Sequence, residues 1–488
     1  MWAAVTALIL TAMAVPAAAQ VATGMVTNPR PDQLRFRELY QELVETNTTL
    51  TAGSCTQASE QLATRLKTAG LPAENVHVLV EPDHPKEGAL VAVYPGTSHT
   101  ARPILLMGHI DVVEADRADW ERDPFTLIEE NGYFYARGSA DDKAMSAVWA
   151  DTLVRFAQER YRPERTVKLA LTCGEETDTA FNGANWLAQN HRDLIDAEFA
   201  LNEGGGGRTD GQGNIVTQAV QVGEKINQDY ILTVTNPGGH SSMPVPDNAI
   251  YRMAAALEKI GAYEFPVQFN DTTRAYFSKG SLLRPGETGE AMIRLAANPN
   301  DAEAEHIVNQ DKQLHSLLRT TCVATMIDGG HARNALPQRV EANVNCRIFP
   351  GHTPAEVQEK LAEVIGDPAI SFRPARTGKP IALAPPLDPM VIGPMERLLA
   401  KHFPGVPLIP SMATGYTDAV YTGGAGIPTY GVPGIWVDPD GNGTHGLNER
   451  MEVRALYIGR DYLYELVKQY AGGRAVERPP VEGGRPVA

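Results

Sequence analysis

Residues 103–113 read Pro-Ile-Leu-Leu-Met-Gly-His-Ile-Asp-Val-Val, an apolar run that ends in glycine, histidine and aspartate. Four consecutive apolar residues after a proline predict a short strand that is buried on both faces of a sheet. His109 then lies just past the carboxyl end of this strand, where open α/β sheets bind their ligands. The spacing of His109 and Asp111 lets the carboxylate accept the second imidazole N–H of a metal-bound histidine. Taken alone, the pair is by default a structural hydrogen bond.

Short β-rich runs of this kind alternate with helical segments in the first half of the chain. The strand-like runs are 89–94, 103–107, 167–172 and 197–201, and the helical runs are 139–158 and 183–190, preceded by two amphipathic helices within 32–69. The alternation predicts an α/β protein with a mixed sheet and helices on both faces.

The pattern changes near residue 226. The strand DYILTVTN leads into a Gly/Pro turn at 236–239 and a helix at 247–260. Strands at 322–328 and 339–348 follow, and then a helix with Thr353 as N-cap and Glu356 as its capping partner. This order predicts a smaller α+β domain inserted into the larger one. Residues 264–315 read as a polar, irregular insertion. Helix and strand patterns resume with a helix at 388–401, short strands around 429–432 and a last helix at 454–470.

The first nineteen residues, MWAAVTALILTAMAVPAAA, carry no charged side chain and end in Ala-x-Ala before Gln20. They resemble a secretory signal peptide, although the usual basic residue of its n-region is missing. The apolar stretch 2–15 is shorter than the roughly 20 residues of a membrane-spanning helix. We therefore expect an exported protein, periplasmic or secreted, with no membrane span in the mature chain.

The predicted limits follow from these patterns. They are 1–19 for the signal peptide, 20–225 and 379–472 for a discontinuous larger domain, 226–378 for the inserted domain and 473–488 for a flexible tail.

The net charge restricts the partners. Fifty-nine acidic and 43 basic residues give a formal charge of −16, which disfavours nucleic acid and anionic membranes because both are repelled. A small anionic substrate remains compatible, since a local basic group can bind it.

The four cysteines fit neither a disulfide scaffold nor a zinc motif. Buried free thiols are the expected state. Cys322 and Cys346 are the one candidate pair, because they lie symmetrically about Asn334 on two predicted antiparallel strands.

Acidic residues follow several of the predicted strands. Asp141 and Asp142 open a helix after a glycine turn, Glu175 and Glu176 follow the strand VKLALT, and Glu203 follows the next strand. Each alone is an ordinary loop or helix-start acid. Together they bring carboxylates to one edge of one sheet, where their repulsion is costly unless cations are present.

Seven sequence blocks, in this order, resemble the signatures of the co-catalytic di-zinc amidohydrolases and metallopeptidases. That family includes aminoacylases, acetylornithine deacetylase, succinyl-diaminopimelate desuccinylase and carboxypeptidases. The blocks are GHIDVV, ARGSADDKA, CGEE, LNEGG, NPGGHSSMP, ARNALP and THGLNE, and the resemblance covers roughly residues 30 to 470. It implies a zinc catalytic domain with an inserted lid or dimerisation domain. It also implies hydrolysis of an amide or peptide bond next to a free carboxylate.

The resemblance implies a metal site of two Zn²⁺ per subunit, with Co²⁺ or Mn²⁺ as alternatives. His109 and Glu203 hold one ion, Glu176 and His445 hold the other, and Asp141 bridges the two. Metal removal is therefore expected to abolish activity.

The same resemblance implies catalytic roles for two neighbours of the ligands. Glu175 takes the place of the general base, and Asp111 orients His109. Asp142 stands where an uncharged residue is usual, and the Asp141–Asp142 peptide is expected to be cis.

The resemblance also places functional residues outside the metal site. His240 matches the histidine that stabilises the oxyanion, commonly from the partner subunit of a homodimer. Arg347 and Asn334 match residues that bind the substrate carboxylate, and Gly415 and Thr417 match a loop that lines the pocket. A helix-capping histidine and a surface salt bridge are the simpler interpretations of His240 and Arg347.

Two alternatives stay open. One is a dipeptidase or aminopeptidase of the same family, in place of a carboxypeptidase or N-acyl-amino-acid amidohydrolase. The other is an inactive binding or regulatory relative, which requires the loss of a ligand or of the base, whereas all six positions hold competent residues.

Overall fold

The computed structural model describes residue 26 and residues 28–177, 181–375, 380–381 and 383–472. The predicted signal peptide and tail lie outside the described residues. The strands are β1 (Val76–Leu79), β2 (Ala89–Tyr94), β3 (Ile104–His109), β4 (Ile128–Glu130), β5 (Tyr133–Tyr135), β6 (Val167–Thr172), β7 (Phe199–Asn202), β8 (Gly206–Thr209), β9 (Ile215–Glu224), β10 (Ile226–Thr235), β11 (Gly239–His240), β12 (Thr321–Gly329), β13 (Ala335–Leu336), β14 (Arg339–Ile348), β15 (Ile370–Pro374), β16 (Leu408–Ala413), β17 (Thr429–Gly431), β18 (Trp436–Val437) and β19 (Arg450–Glu452).

The α-helices are interspersed with these strands. They are α1 (Pro31–Glu45), α2 (Cys55–Ala69), α3 (Lys143–Glu159), α4 (Gly183–Asn190), α5 (Arg192–Ile195), α6 (Ala249–Ala262), α7 (Asp271–Gly280), α8 (Glu287–Ala297), α9 (Ala302–Val308), α10 (Lys312–Leu317), α11 (Pro354–Ile365), α12 (Pro389–His402), α13 (Ala419–Gly424) and α14 (Val453–Ala471). Among the described residues, every helix is too short or too polar to cross a bilayer.

The large sheet has the strand order β1-β2-β6-β3-β7-β17-β9-β8-β18, with β16 paired to β9. Its centre, β6-β3-β7-β17, is parallel, whereas β2 runs antiparallel to β6 and β9 runs antiparallel to β17 and β8. The expected α/β class with a mixed sheet is therefore confirmed.

Strand β3 shows why helices cover both faces of this sheet. All six of its residues are buried. Ile104 and Leu106 face the core formed with α1, α2, α3, α12 and α14, whereas Leu105 and Met107 face the core formed with α4, α5 and α13. Successive side chains of a strand point to opposite faces of the sheet. A strand whose apolar residues point to both faces therefore has to be covered by helices on both faces.

The inserted part of the chain forms a four-stranded antiparallel sheet of order β12-β14-β10-β15. Its apolar side chains alternate with polar ones and pack against α6 and α11. The N-cap of α11 has the predicted form, since Thr353 and Glu356 make a reciprocal capping box. The two sheets are joined through Lys225, which is fully buried between β9 and β10. Its Nζ has no hydrogen-bond partner among the described residues.

The expectation of an irregular insertion at 264–315 is wrong, because this segment folds into α7, α8, α9 and α10. Its apolar residues make a core of their own, which also includes Phe349 after β14 and Met412 of β16. The helical segment therefore packs against both sheets. Each helix has 6–11 residues, and such short helices depend on tertiary packing more than on local propensity.

The expectation of free thiols is also wrong. Cys322 and Cys346 form a disulfide across the β12–β14 pair, as the symmetry of their positions suggested. Cys55 at the start of α2 forms a second disulfide with Cys173, which follows β6. This second bridge joins residues 118 positions apart and immediately precedes the Glu175–Glu176 pair.

Candidate metal centre

Three neighbouring parallel strands deliver the candidate ligands to one edge of the large sheet. His109 is the last residue of β3, Glu203 directly follows β7, and Glu176 follows the end of β6. Because β6, β3 and β7 are adjacent and parallel, their carboxyl ends meet. The sheet itself therefore brings together side chains that are up to 94 positions apart in the sequence.

His109 lies at the centre of one half of the site. Its Nε2 is 3.1 Å from Asp141 Oδ1 and 3.6 Å from Glu203 Oε1. Its Nδ1 lies 3.1 Å from the backbone oxygen of Asp111 and 3.5 Å from the Asp111 carboxylate. The backbone carbonyl of Asp111 thus makes the shorter of the two contacts that orient the ring.

His445 forms the second half. Its Nε2 is 3.2 Å from the other carboxylate oxygen of Asp141 and 2.9 Å from Glu176 Oε2. The residue has a φ of +59°, a left-handed conformation that is uncommon outside glycine. Asp141 therefore faces one histidine with each of its oxygens, which is the arrangement of a bridging ligand.

The donor set fits divalent metal ions. Two atoms bonded at about 2.0–2.1 Å to one tetrahedral zinc lie about 3.3–3.4 Å apart. The distances between histidine nitrogens and carboxylate oxygens in the two halves range from 2.9 to 3.6 Å. Imidazole and carboxylate are also the ligands of zinc and similar ions. The side chains therefore stand where the ligands of two ions would stand.

The electrostatics of the site also favour cations. Burial raises the pKa of Glu203 well above its ordinary 4.5, and the charges of Asp142, Glu175 and Asp141 add to this. Burial likewise raises the pKa of Glu175. Divalent ions held here would relieve the repulsion among these acids, because they would place positive charge between them.

The pKa values of the two histidines are raised as well, which for imidazole favours the charged form. Burial alone lowers the pKa of His109, but Glu203 and the hydrogen bonds with Asp111 and Asp141 outweigh it and raise that pKa well above 6.5. Hydrogen bonds with Asp141 and Glu176 raise the pKa of His445 to about 10. Positive charge is therefore favoured at both histidines, and a metal ion bound there would displace their protons.

Asp142 is arranged differently from Asp141. It is buried beneath β3, and its Oδ2 has no hydrogen-bond partner among the described residues. A Cβ on Gly108 would lie 2.7 Å from this oxygen, so glycine is needed there. The Asp141–Asp142 peptide is cis, as expected. It is Asp141, and not Asp142, that lies between the two histidines.

Glu449 is a buried residue of the site to which the sequence analysis assigned no role. Its carboxylate accepts hydrogen bonds from the backbone N–H groups of Gly138 at 3.1 Å, Ala140 at 2.8 Å and Asp141 at 3.1 Å. It also accepts one from Arg137 Nη1 at 2.7 Å. Glu449 therefore holds the turn that carries Asp141. The available signal was its place at the end of the block THGLNE, four residues after His445.

Two buried aspartates hold the loop of Glu175 and Glu176. The Asp111 carboxylate accepts the backbone N–H groups of Glu175 at 3.4 Å and Glu176 at 3.0 Å. Asp418 accepts hydrogen bonds from Thr172 Oγ1 at 2.8 Å and from Asn182 Nδ2 at 2.7 Å, and so ties together both ends of this loop. Asp418 is a second residue to which the sequence analysis gave no role.

Three other predicted site residues lie on the inserted part of the chain. His240 is exposed on the β11–β13 pair, where its Nδ1 is 2.7 Å from Ser242 Oγ. Asn334 is its neighbour, since its backbone oxygen accepts the N–H of Ser241 at 2.9 Å. Arg347 lies on the polar face of β14, and its Nε donates to Asn345 at 3.2 Å. No contact between these three side chains and the metal-site carboxylates occurs within the described ranges.

A cavity of about 730 Å³ opens beside the metal site. Asp141, Glu203 and Gly415 line it. Thr417 is buried, and its hydroxyl donates to Glu224 at 3.1 Å and accepts from Asn202 at 3.2 Å. The opposite wall comes from the helical segment of α7 to α10.

Comparison with known proteins agrees with this geometry. The sequence profile of peptidase family M20/M25/M40 matches residues 105–469. The human N-fatty-acyl-amino acid synthase/hydrolase PM20D1 is 27% identical over 384 residues, which cover 76% of this chain and 75% of the relative. A probable carboxypeptidase S-like protein of Dictyostelium discoideum is 25% identical over 399 residues, covering 78% and 74%.

The fold has a solved counterpart. The crystal structure of an M20 family metallo-carboxypeptidase from Sulfolobus solfataricus superposes with a TM-score of 0.65 at 18% identity, covering 89% of this chain and 99% of that one. The profile match extends over most of the chain and contains every candidate ligand. The chain therefore belongs to peptidase family M20/M25/M40 and is a metal-dependent hydrolase.

Proposed function

We propose that this protein is an exported two-zinc hydrolase that cleaves N-acyl amino acids at the amide bond next to the free carboxylate. The observation that carries the proposal is Asp141, whose two oxygens lie 3.1 and 3.2 Å from the two histidines. His109 and Glu203 would hold one ion, and Glu176 and His445 the other. The domain limits predicted from the sequence are part of this proposal.

The catalytic roles follow from position and chemistry. When bound, the two ions would polarise the scissile carbonyl and lower the pKa of a water molecule. Glu175, beside the ligand Glu176, takes the proton from the attacking water and returns it to the departing amine nitrogen. Burial raises the pKa of Glu175, so this side chain holds the proton between the two steps.

The inserted domain would supply the remaining contacts. His240 donates a hydrogen bond to the oxyanion, and Arg347 binds the substrate carboxylate with Asn334 beside it. Since all three lie outside the metal site, they reach a substrate only when the domains close or when a second subunit presents them.

A homodimer through the inserted domain is supported by strand β12. It pairs with β14 on one side and, among the described residues, with no strand on the other. Val323, Met326 and Ile327 of β12 are 59%, 72% and 62% exposed. A nine-residue edge strand with exposed apolar side chains favours pairing with another chain.

Export is supported by the disulfides. Both bridges together use all four cysteines of the chain. Disulfides persist in oxidising compartments and are rare in the cytosol, which agrees with the signal peptide predicted at 1–19.

The substrate class rests on the relatives and on the cavity. The name of the human relative gives N-fatty-acyl amino acids as its substrates. The cavity is also far larger than the space that the metal ions and their water molecules would need. Dipeptides are the second candidate substrates, because a free amine on the acyl side is the only chemical difference.

A substrate panel with metal control tests the proposal. The metal-stripped protein is assayed on N-acyl amino acids and on dipeptides, before and after zinc is restored. We expect activity only with metal and higher kcat/KM on the N-acyl series. Full activity after confirmed metal loss refutes the metal mechanism, and preference for dipeptides refutes the substrate class.

Arg347→Ala tests the carboxylate contact, and Arg373→Ala is its control. Both arginines lie on the same face of the four-stranded sheet, since their cross-strand partners are Asn227 and Ile231 of β10. We expect Arg347→Ala to raise KM and Arg373→Ala to leave it unchanged. Equal effects of the two changes contradict the assignment.

Mixing two inactive proteins tests the dimer. If His240 acts across the interface, His240→Ala mixed with Glu175→Gln regains activity through one composite site. Subunit exchange is measured separately with tagged chains. Exchange without recovery shows that His240 does not serve the partner's site.

A further inference from the structure

The cavity beside the metal site has two walls of different origin. One wall belongs to the large sheet and the helix α3 beside it, and includes Ile409 and Met412 of β16 and Met145 of α3. The other wall comes from the helical segment 271–317 and carries Leu283 and Leu317. The segment that the sequence analysis left unexplained therefore faces the same space as Asp141 and Glu203.

The wall residues indicate which end of a substrate enters this space. His240, Asn334 and Arg347, which are proposed to contact the oxyanion and the carboxylate, do not line the cavity. An amide substrate has two ends on either side of the scissile bond. With the carboxylate end assigned to the inserted sheet, the cavity is left for the acyl end.

We propose that the cavity is the acyl-group site and that Leu283 and Leu317 of the helical segment determine the length of acyl chain that is hydrolysed. The proposal rests on the proposed function. The cavity volume of about 730 Å³ lies within the roughly 300–1,000 Å³ of sites that enclose extended organic ligands. An acetyl group fills only a small part of it. A long alkyl chain buries apolar surface against both walls and gains free energy with each methylene.

Arg284, which directly follows Leu283, is compatible with an apolar acyl-group site. Arg284 also lines the cavity, but its guanidinium is paired with Asp311 of the same segment. The pair neutralises the part of the rim beside Leu283.

Leu283 offers a clean test because its immediate neighbour is a matched control. Leu283 is 41% exposed and lines the cavity, whereas Leu282 is 77% exposed and does not line it. Leu283→Trp narrows the cavity, and Leu282→Trp adds the same bulk to the same short 3₁₀ turn outside it. Neither change disturbs a buried core residue, so both proteins are expected to fold.

The two variants and the wild type are assayed on acetyl, hexanoyl and dodecanoyl derivatives of one amino acid. We expect Leu283→Trp to lower kcat/KM for the dodecanoyl substrate at least tenfold and to change it less than twofold for the acetyl substrate. Tenfold corresponds to about 1.4 kcal/mol, the transfer free energy of about two methylene groups. Leu282→Trp is expected to match the wild type on all three substrates.

Gly280→Ala provides a second, smaller change. A Cβ at Gly280 meets Met292 and Tyr276 at 3.8 Å, an ordinary van der Waals distance, so the methyl group is tolerated beside Tyr276, which lines the cavity. We expect a weaker loss that again grows with chain length.

The outcomes separate the two proposals. A wild type that hydrolyses no N-acyl amino acid refutes the proposed function. A wild type that hydrolyses them, with a chain-length profile that Leu283→Trp and Gly280→Ala leave unchanged, overturns the acyl site alone. A uniform loss on all three substrates also overturns it, because it indicates damage to the metal site.

Discussion

Glu449→Gln is the most informative single change, because one buried carboxylate holds the turn that carries Asp141, the proposed bridging ligand. The wild-type carboxylate satisfies four donors, three of them backbone N–H groups of residues 138–141 and the fourth the buried Arg137. Glutamine keeps the shape but replaces one acceptor oxygen with a donor NH₂ group. Two of the four donors then lose their acceptor, and Arg137 loses its counter-charge.

The magnitude follows from the burial of the pair. The side chains of Arg137 and Glu449 are 3% and 1% exposed. Removing one partner of a buried ion pair costs about 3–5 kcal/mol, because the other charge stays buried without compensation. We expect the unfolding free energy of the metal-free protein to fall by this amount. Misplacement of the Asp141 backbone is also expected to weaken zinc binding by about tenfold or more.

Urea unfolding of chelator-treated protein measures the first effect, and competition with a zinc chelator measures the second. Glu74→Gln is the control, since Glu74 is exposed and surface changes stay within about 0.5 kcal/mol. If Glu449→Gln unfolds within 1 kcal/mol of the wild type and binds zinc equally well, the carboxylate does not hold the turn, and the argument fails.

Three further predictions concern the base, a disulfide and the buried lysine. Glu175→Gln is expected to keep wild-type zinc content while kcat falls by about 10² or more; loss of metal instead would make Glu175 a ligand. Replacing Cys55 and Cys173 with serine is expected to lower the unfolding free energy by about 2–5 kcal/mol, and equal stability of oxidised and reduced wild type would contradict this. Burial and two neighbouring arginines lower the pKa of Lys225 from 10.5 to about 7. Between about pH 7 and pH 10.5, Lys225 keeps its proton in the unfolded chain but has lost it in the folded chain. This residue therefore makes the unfolding free energy rise with pH. Lys225→Met should remove that rise and stabilise the protein at pH 7; an unchanged slope between pH 7 and 10.5 counts against it.

Local patterns were sufficient for much of the fold. The strands at 89–94, 167–172 and 339–348 end where the sequence predicts, because apolar runs bounded by turn residues leave few other choices. Three candidate ligands were also predictable from the strands, since β3, β6 and β7 end at or shortly before His109, Glu176 and Glu203, whereas His445 lies in a loop and was predicted from the resemblance alone. Their roles stay predictions until the substitutions above are made.

What the sequence did not reveal depends on contacts between distant residues. Cys55 and Cys173 are 118 positions apart, and spacing alone does not determine disulfide connectivity. The helices of 271–317 are interrupted by residues such as Pro285, Gly286 and Pro299, so no apolar period runs long enough to be recognised. Glu449 looks like an ordinary acid until the turn it binds is folded around it.

The two sheets can form at different times during translation, because their strands are distributed differently along the chain. The four-stranded sheet is made from one continuous stretch, so its pairings can form as soon as that stretch has been made. The large sheet cannot be completed until much later, because β16, β17 and β18 pair with strands made about 200 residues earlier. Roughly 240 residues separate Glu203 from His445, which is about 12 to 48 s of translation. Until His445 in the last tenth of the chain has been made, the proposed second metal site lacks its histidine, so we expect a nascent chain to be inactive before that point.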